Sequence, residues 1–322
     1  LGSPERNFAE GYKPADQPII ISEFGVWGLP SVKKLYAHYG GEPPWFTNQG
    51  DDMHREDFKE PLHVLESFQK YKLDQIFGDF ETLAEATQRR MHRAVKSIIE
   101  EMRKRPEING YVVTEFTDVE WETNGWLDYM RDYKIGMDRA ADFNAGLIVM
   151  ADGLKRNLWC GETLSADIVI SNHDRLPLDG VLSWELEGTD CSGSIALQEG
   201  GKSFIRLPEA IRFTAPELPA AAFVKLKLRL TLDGGAQAAN EEELTISPFV
   251  KLPPAAVCAY GMSGSFRSAL EKCGARIVEW PEAAQVVITS TLDETVLRYC
   301  RGGGHVLFLA EEGDRLTDKD QF

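Results

Sequence analysis

The spacing of apolar and polar residues divides the chain into three parts. In the first part, residues 18–22 form a short apolar run that predicts a strand buried on both faces. Residues 26–60 are rich in Gly, Pro, Trp and charge, which indicates a long loop. Apolar residues then recur at three- and four-residue steps across 62–105, which predicts helix, and residues 111–116 predict a second buried strand. Strand, helix and parallel strand make the βαβ unit of an α/β fold.

The pattern changes near residue 145 and again near residue 254. Between them, short segments that alternate apolar and polar residues predict an antiparallel β-sandwich. The third part is typical of the first half of an open parallel sheet, with strands expected at 256–260, 276–280, 285–290 and 305–310 and helices at 265–273 and 292–301. The predicted fold class is therefore multidomain α/β plus all-β, with domains at 1–143, 144–250 and 251–322.

Composition and charge narrow the classes of function. The chain has 322 residues, 43% of them apolar and 27% charged, as expected for a globular protein of two or three domains. Its net charge of −16 argues against nucleic acid or an anionic membrane as a partner. The five cysteines form no C-x-x-C pair and have no neighbouring histidine cluster, so we expect no metal and no cofactor.

Both ends of the sequence resemble the middle of a longer protein. The first residues contain neither an initiator methionine nor the basic and apolar regions of a signal peptide, and the last residues closely follow a strand-like run. We therefore expect the chain to be a C-terminal piece of a larger polypeptide. The compartment is left open between cytoplasm, periplasm and secretion.

Candidate chemistry begins where the first strand ends. Glu23 stands at the carboxyl end of that strand, and Gly25 permits a sharp departure of the backbone. In α/β barrels the ligands and catalytic groups lie at this end of the strands. Glu23 would face the mouth of such a barrel if it shares the inward phase of Ile19 and Ile21. From position alone, a surface glutamate at the start of a loop is an equally good interpretation.

The second strand ends in a similar group of polar and aromatic residues, namely Thr114, Glu115, Asp118, Trp121, Glu122 and Asn124. Two neighbouring strands thus deliver carboxylates, amides and rings to one end of a sheet. Sugars are bound by this mixture, because aromatic faces pack on C–H surfaces while Asp, Glu and Asn bind hydroxyls. Trp27 lies in the loop after the first strand, which could rim such a cleft, and we interpret Trp126 as a core aromatic. His54 and His63 lack ligand spacing and indicate a solvated acidic loop rather than a metal site.

These motifs resemble the last two βα units of the catalytic barrel of glycoside hydrolase family 2, the β-galactosidase, β-glucuronidase and β-mannosidase group. In that family a Ser-Glu-Tyr/Phe-Gly-like motif ends the seventh strand, and residues 19–25 match it. The eighth strand of the family spaces Gly, Trp and Asp by four residues. Here Gly110 and Asp118 fit that spacing, while Thr114 stands in the place of Trp.

The resemblance extends beyond these two strands. The segment 114–125, with 127–129 and Lys134, is similar to a variant of the motif in a less characterised branch of the family. The β-sandwich is similar to the immunoglobulin-like domain that follows the family's barrel. The third part resembles a glutamine-amidotransferase-like α/β domain, although Cys258 and Cys300 lie in no nucleophile elbow. We interpret this part as an accessory or homo-oligomerisation element.

The resemblance implies a retaining β-glycosidase. Glu23 would attack the anomeric carbon of a β-glycoside, and a second carboxylic acid would protonate the leaving oxygen. The substrate-binding residues implied are Trp27, Thr114, Glu115, Asp118, Trp121 and Asn124. In the family the acid belongs to an Asn-Glu pair on the fourth strand, and no such pair precedes Glu23 here. Since two of eight strands cannot close a barrel, we expect exposed inner faces and an inactive isolated chain.

A non-catalytic interpretation stays open. Because Thr114 replaces a tryptophan that lines the sugar site in better-known members, the chain could instead belong to a carbohydrate-binding or assembly protein derived from such a barrel. An Asn-Glu pair in the upstream sequence would favour the enzyme. The sequence does not specify which sugar is recognised.

Overall fold

A computed structural model describes residues 18–43, 64–119, 122–249, 251 and 254–309. The chain divides into two compact units. The first consists of the chain up to Arg156 together with Thr163–Thr214 and Phe223–Thr245. The second consists of Asn157–Glu162, Ala215–Ala222 and the chain from Ile246 onward. The predicted domain boundaries at 143 and 250 stay predictions.

The first unit opens with the predicted strand–helix–strand arrangement. Strand β1 is Ile19–Phe24 and strand β2 is Ile108–Val113, and they pair in parallel with Ile19 opposite Ile108. The helices between them are α1 (Val32–Tyr39), α2 (Val64–Lys70), α3 (Asp74–Phe77) and α4 (Phe80–Arg103). The helical pattern across 62–105 is therefore three helices. Gly78, with φ of 77°, ends α3, and the Asp79 carboxylate caps α4 by accepting from the Thr82 N–H at 2.8 Å.

The predicted loop at 26–60 is wrong in one place, since Val32–Tyr39 forms α1. Ser31 caps its first turn by accepting from the Lys34 N–H at 3.2 Å, and Gly40 ends it in the left-handed conformation. Val32 and Leu35 lie three residues apart and are buried against Phe80 in the same apolar cluster. Capping and this contact with α4 outweigh the loop-like composition around the helix.

The core of this region lies on one side of the two-stranded sheet. Met91, Val95, Ile99 and Met102 of α4 are buried, and they pack with Ile19, Ile21, Phe24 and Tyr111 of the strands. Burying each such side chain contributes about 1.5–3 kcal/mol. The opposite face is open: Ile20 is 60% exposed and Val112 is 52% exposed. For the described chain, the prediction that β1 and β2 are each buried on two faces is therefore wrong. The expectation that two strands alone leave one face exposed is confirmed, since the face that carries Ile20 and Val112 is open.

The rest of the first unit is mostly antiparallel sheet. One sheet has the order β3-β5-β8, formed by Leu147–Asp152, Thr163–Asn172 and Phe204–Thr214. In a second sheet the strands β6 (Asp179–Leu186), β7 (Ser192–Gln198), β9 (Ala222–Leu232) and β10 (Gln237–Ser247) follow the order β10-β9-β6-β7. The two sheets contact each other through Trp184, whose ring lies 6.0 Å from that of Phe213. A short helix, α5 (Ala141–Asn144), precedes β3.

The second unit contains a four-stranded parallel sheet of order β12-β11-β13-β14. Its elements are β11 (Ala256–Tyr260), α6 (Gly264–Lys272), β12 (Arg276–Ile277), β13 (Val286–Thr289), α7 (Glu294–Arg301) and β14 (His305–Phe308). The short strand β4 (Asn157–Trp159) also lies in this unit. The glycines after α7 make the predicted helix-to-strand turn, with Gly303 at φ 87°. The predicted mixture of α/β and β structure is therefore confirmed.

Two kinds of feature are absent from the described residues. None of their helices has both the length and the apolar character needed to cross a bilayer. They also contain no group of three or more His, Cys, Asp or Glu side chains arranged to hold a metal ion.

Candidate functional site

The carboxyl end of β1 owes its shape to one extra residue. Ile21 lies opposite Tyr111 and Phe24 opposite Val113, so three steps along β1 match two along β2. Ile19, Ile21 and Phe24 therefore all pack on the α4 core, and Ser22 and Glu23 are both exposed. The condition under which Glu23 would face a barrel mouth, a shared inward phase with Ile19 and Ile21, is not met. Glu23 is exposed because of the bulge, on a strand whose Ile19 and Ile21 face the helix.

Gly25 brings the ends of the two strands into contact. A Cβ atom at this position would lie 1.8 Å from the Thr114 carbonyl oxygen and 3.2 Å from Asn124 Nδ2. The Thr114 N–H donates to the Phe24 carbonyl at 2.7 Å, and Asn124 Nδ2 donates to the Thr114 carbonyl at 3.0 Å. Gly25 is needed for this close approach of two backbones, and its φ is not in the left-handed region.

Lys134 connects the loops that follow β1 and β2 by hydrogen bonds to both. Its ammonium is fully buried and donates to the Gly28 carbonyl at 2.7 Å, the Thr123 carbonyl at 2.7 Å and Asp118 Oδ1 at 2.6 Å. Asp118 Oδ1 also accepts from the Gly125 N–H at 3.0 Å. Burial raises the pKa of Asp118 to about 6 although Lys134 opposes the shift, and burial lowers the pKa of Lys134. Asp118, expected to bind sugar, is thus engaged in a buried ion pair.

Two carboxyl groups meet in the same loop. Burial raises the pKa of Glu115, and a hydrogen bond to Glu122 and the charge of Glu122 raise it further. Two carboxyl groups in such contact share a proton more readily than they carry two negative charges. The Glu115 carboxyl group is therefore more readily protonated than an ordinary glutamate.

Unsatisfied polar atoms are concentrated in this loop. In the described part of the chain, the buried side-chain nitrogen and oxygen atoms without a hydrogen-bond partner all lie between residues 115 and 126: Glu115 Oε1, Asp118 Oδ2, Thr123 Oγ1, Asn124 Oδ1 and Trp126 Nε1. Such atoms are uncommon in native proteins, and each needs an explanation, such as a bound water, an ion, local strain or a catalytic role. Their clustering marks the loop after β2 as the candidate site.

The structure sorts the predicted site residues into two groups. Glu23 is exposed at the end of β1, Trp27 is 58% exposed in the loop after it, and Glu115 is half-buried after β2. Asp118 and the amide nitrogen of Asn124 make the internal contacts that shape the loop, and Thr114 contributes backbone groups to the same joint. Trp121, His54 and His63 lie outside the described residues.

Lys134 is the residue whose role the sequence did not reveal. It stands 16 positions after Asp118, and no helical or strand period relates the two. Both lie in loops, where side-chain partners cannot be inferred from spacing. A lysine among apolar and aromatic residues was the available signal, because buried lysines require partners.

Comparisons with known proteins leave the family open. No family model and no curated protein matches the chain. Among solved structures, the sporulation control protein Spo0M from Bacillus subtilis matches 31% of this chain and 48% of its own, at 14% identity and a TM-score of 0.22. A sialyltransferase from Photobacterium damsela matches 49% and 29%, at 14% identity and a TM-score of 0.18. An endo-β-1,4-mannanase from Thermotoga petrophila matches 49% and 35%, at 8% identity and a TM-score of 0.23. The chain spans less than half the length of each.

Proposed function

We propose that the chain carries the nucleophile side of a retaining β-glycosidase site. The observation that carries the proposal is the exposure of Glu23 at the carboxyl end of β1, next to a β2 loop that holds the Glu115–Glu122 carboxyl pair. The resemblance of residues 19–25 to the nucleophile motif of glycoside hydrolase family 2 supports the same role. The exposed ring of Trp27 provides a face on which a sugar can pack.

The proposed reaction has two steps. Glu23 attacks the anomeric carbon and forms a glycosyl ester while an acid protonates the departing oxygen. Water then cleaves the ester, activated by the same second group, and the configuration of the sugar is retained. In the proposal the second group comes from elsewhere in a longer polypeptide, since no Asn-Glu pair precedes Glu23 in this sequence.

The open face of the β1–β2 sheet supports a site shared with further strands. Ile20 and Val112 are apolar and exposed on that face, while the face toward α4 is packed. Such a face is covered when a parallel sheet continues and closes. On its own, the 322-residue chain should therefore not hydrolyse β-glycosides.

The test is covalent trapping in the full-length polypeptide. A 2-fluoro β-glycoside should add one glycosyl mass, and peptide mapping should place it on the peptide that contains Glu23. Glu23→Gln should abolish the label and reduce kcat by at least about 10³-fold, because the covalent step is lost. Glu107→Gln, an exposed glutamate just before β2, is the matched control and should label normally. A label on any other peptide would refute the assignment.

A carbohydrate-binding protein without hydrolysis is the second candidate. It is favoured by the internal use of Asp118 and Asn124 and by Thr114 in the place of a tryptophan. Calorimetry on the Glu23→Gln variant separates the two functions. Unchanged sugar affinity, with no turnover by the parent full-length protein, would support binding alone.

A further inference from the structure

A second cavity lies at the opposite end of β2 from the candidate site. It has a volume of about 270 Å³ and lies where the end of α4 and the start of β2 meet β5 and β8, all within the first unit. Its polar lining includes Arg103, Arg105, Asn109, Ser171, His173 and Arg175. No aspartate or glutamate is among its described lining residues. A cavity lined in this way is unusual in a chain of net charge −16.

Arg103 places a buried positive charge at this cavity. The residue is only 6% exposed. Its Nε donates to Ser171 Oγ at 2.9 Å, Nη1 to the Ala145 carbonyl at 2.8 Å, and Nη2 to the Gly146 carbonyl at 2.9 Å. These acceptors are neutral, and within the described chain no carboxylate forms an ion pair with Arg103. A buried charge held by dipoles alone is energetically costly, and an anion close to it would offset that cost.

The neighbouring groups add positive charge and donors. Arg175 is exposed at the cavity and, among the described residues, forms no ion pair with a carboxylate. Arg105 is neutralised by Glu101, whose Oε2 lies 3.0 Å from Nη1. Asn109 Oδ1 accepts from the Ile19 N–H at 3.0 Å, so the group it has left for a ligand is its NH₂, a donor. The cavity therefore offers donors and positive charge.

The electrostatics of His173 agree with this charge balance. Desolvation and the charge of Arg103 hold the pKa of His173 below its ordinary value, and the adjacent Asp174 only partly opposes them. A histidine that is kept neutral by positive surroundings becomes more easily protonated when an anion binds beside it.

We propose that this cavity binds a phosphate or sulfate group. Guanidinium groups match tetrahedral oxyanions in both geometry and charge, and two of them, from Arg103 and Arg175, border the cavity without an acidic partner among the described residues. The Asn109 amide and the His173 ring complete a set of donors around the anion. The site is separate from Glu23 and does not depend on the proposed hydrolysis.

The experiment follows the six histidine rings of the 322-residue chain by NMR during titration with sodium phosphate and with sodium sulfate. A His173→Gln variant assigns the His173 signal. Phosphate or sulfate should shift this signal in a saturable way and raise the pKa of His173, because the bound negative charge favours the protonated ring. Sodium chloride at the same ionic strength separates general screening from binding.

Arg175→Ala tests the site itself and should weaken oxyanion binding about tenfold, as expected for a lost charged hydrogen bond. Arg131→Ala is the matched control, since Arg131 is also exposed and also has a positive φ, 71° against 51° for Arg175. Arg103 is not replaced, because four acceptors would lose its donors.

A sugar monophosphate and inorganic phosphate distinguish the two sources of the anion. Tighter binding of the sugar monophosphate identifies the phosphoryl group of an organic ligand, and equal binding identifies the free ion; both support the site. The proposal is overturned if chloride moves the His173 signal as far as phosphate and sulfate do, or if Arg175→Ala binds as tightly as the unaltered chain.

Discussion

Lys134 and Lys96 both have side chains largely withdrawn from solvent in the first unit, and their surroundings differ. Lys134 has one carboxylate, Asp118, and two backbone carbonyls as partners. Lys96 in α4 has two carboxylates, Glu100 at 2.8 Å and Glu242 in closer contact. Burial acts to lower the pKa of both lysines. Two carboxylates outweigh burial and raise the pKa of Lys96, whereas at Lys134 burial prevails and the pKa is lowered.

The two lysines join segments of the chain in different ways. The Lys96 cluster joins a helix to strand β10 through side chains, with Arg156 Nη1 2.5 Å from Glu242 Oε2 and Asn240 Nδ2 2.7 Å from Glu100 Oε1. Its formal charges are matched, two cations against two carboxylates, although burial also raises the pKa of Glu100. Lys134 joins two loops through their backbones and leaves Asp118 with a raised pKa and an unsatisfied oxygen. Charge that is left imperfectly compensated is typical of functional sites.

The largest effect is expected from Lys134→Met. The change leaves Asp118 buried without its cation and removes the donor from two carbonyls, so the free energy of unfolding should fall by about 3–5 kcal/mol. Urea unfolding measures it. Lys33→Met, an exposed lysine whose carboxylate partner Asp79 is 3.7 Å away, should change it by less than about 0.5 kcal/mol. Adding Asp118→Asn to Lys134→Met should restore part of the lost free energy of unfolding. Equal losses for Lys134→Met and Lys33→Met would show that the buried contacts of Lys134 do not stabilise the fold.

A smaller effect is expected from Glu242→Gln, which makes Lys96 resemble Lys134. Removing one of two carboxylates should lower the pKa of Lys96 and reduce the free energy of unfolding by about 1–3 kcal/mol. A raised lysine pKa contributes stability that is present below the unfolded pKa near 10.4 and lost as the pH rises through the folded pKa. The variant should therefore lose less stability than the parent above about pH 10.

The measurements for Glu242→Gln are side-chain NMR of Lys96 and urea unfolding at neutral and alkaline pH. Glu243→Gln is the control, because among the described residues Glu243 pairs only with the exposed Arg93, at 3.2 Å. An unchanged pKa of Lys96 in Glu242→Gln would mean that the number of carboxylates does not set the difference between the two lysines.

The smallest expected effect is a change in the free energy of unfolding with pH in the acid range. Because burial raises the pKa of Asp118 to about 6, the folded chain holds a proton that the unfolded chain, titrating near 3.9, has released. The Asp118 contribution to stability should therefore fall as the pH rises from about 4 to 6, by an amount on the order of 1 kcal/mol. The contribution of Glu242 to stability changes with pH in the opposite direction. Burial opposes ionisation of Glu242, but Lys96 and Arg156 outweigh burial and lower its pKa. Its contribution is present above the unfolded pKa and lost as the pH falls.

Asp118→Asn and Glu242→Gln, unfolded in urea at about pH 4 and pH 6, measure these two slopes. Relative to the parent chain, Asp118→Asn should gain stability as the pH rises, and Glu242→Gln should lose it. If the stability of both variants, relative to the parent chain, changed in the same direction with pH, the opposite signs assigned to Asp118 and Glu242 would be wrong.

Local patterns predicted the regular elements well. The α4 helix follows from apolar residues at three- and four-residue steps, and the antiparallel strands follow from alternation. Helix α1 was missed because eight residues carry too few turns to show a period among glycines and prolines. The bulge in β1 was missed because two exposed residues in succession break the alternation that a strand prediction assumes.

The candidate site was predicted only where it lies on a strand end. Glu23 could be named because a carboxylate closing an apolar run has a recognisable pattern. The Asp118–Lys134 pair and the Gly25–Thr114 contact join segments that are distant along the chain, and no local spacing encodes them. The oxyanion cavity was missed for the same reason, since its arginines come from a helix end and from the turn after β5.

The β1–β2 pairing has a consequence for how the chain folds. The Ile19 N–H donates to the Asn109 side-chain oxygen across 90 positions of the chain, and a two-stranded sheet is marginal without a packed face. Closing so long a loop costs entropy that only the docked α4 helix repays. The helix should therefore form and collapse first, and the strand ends that carry Glu23 and Thr114 should meet late on the folding path. Hydrogen exchange during refolding would then protect α4 amides before those of β1.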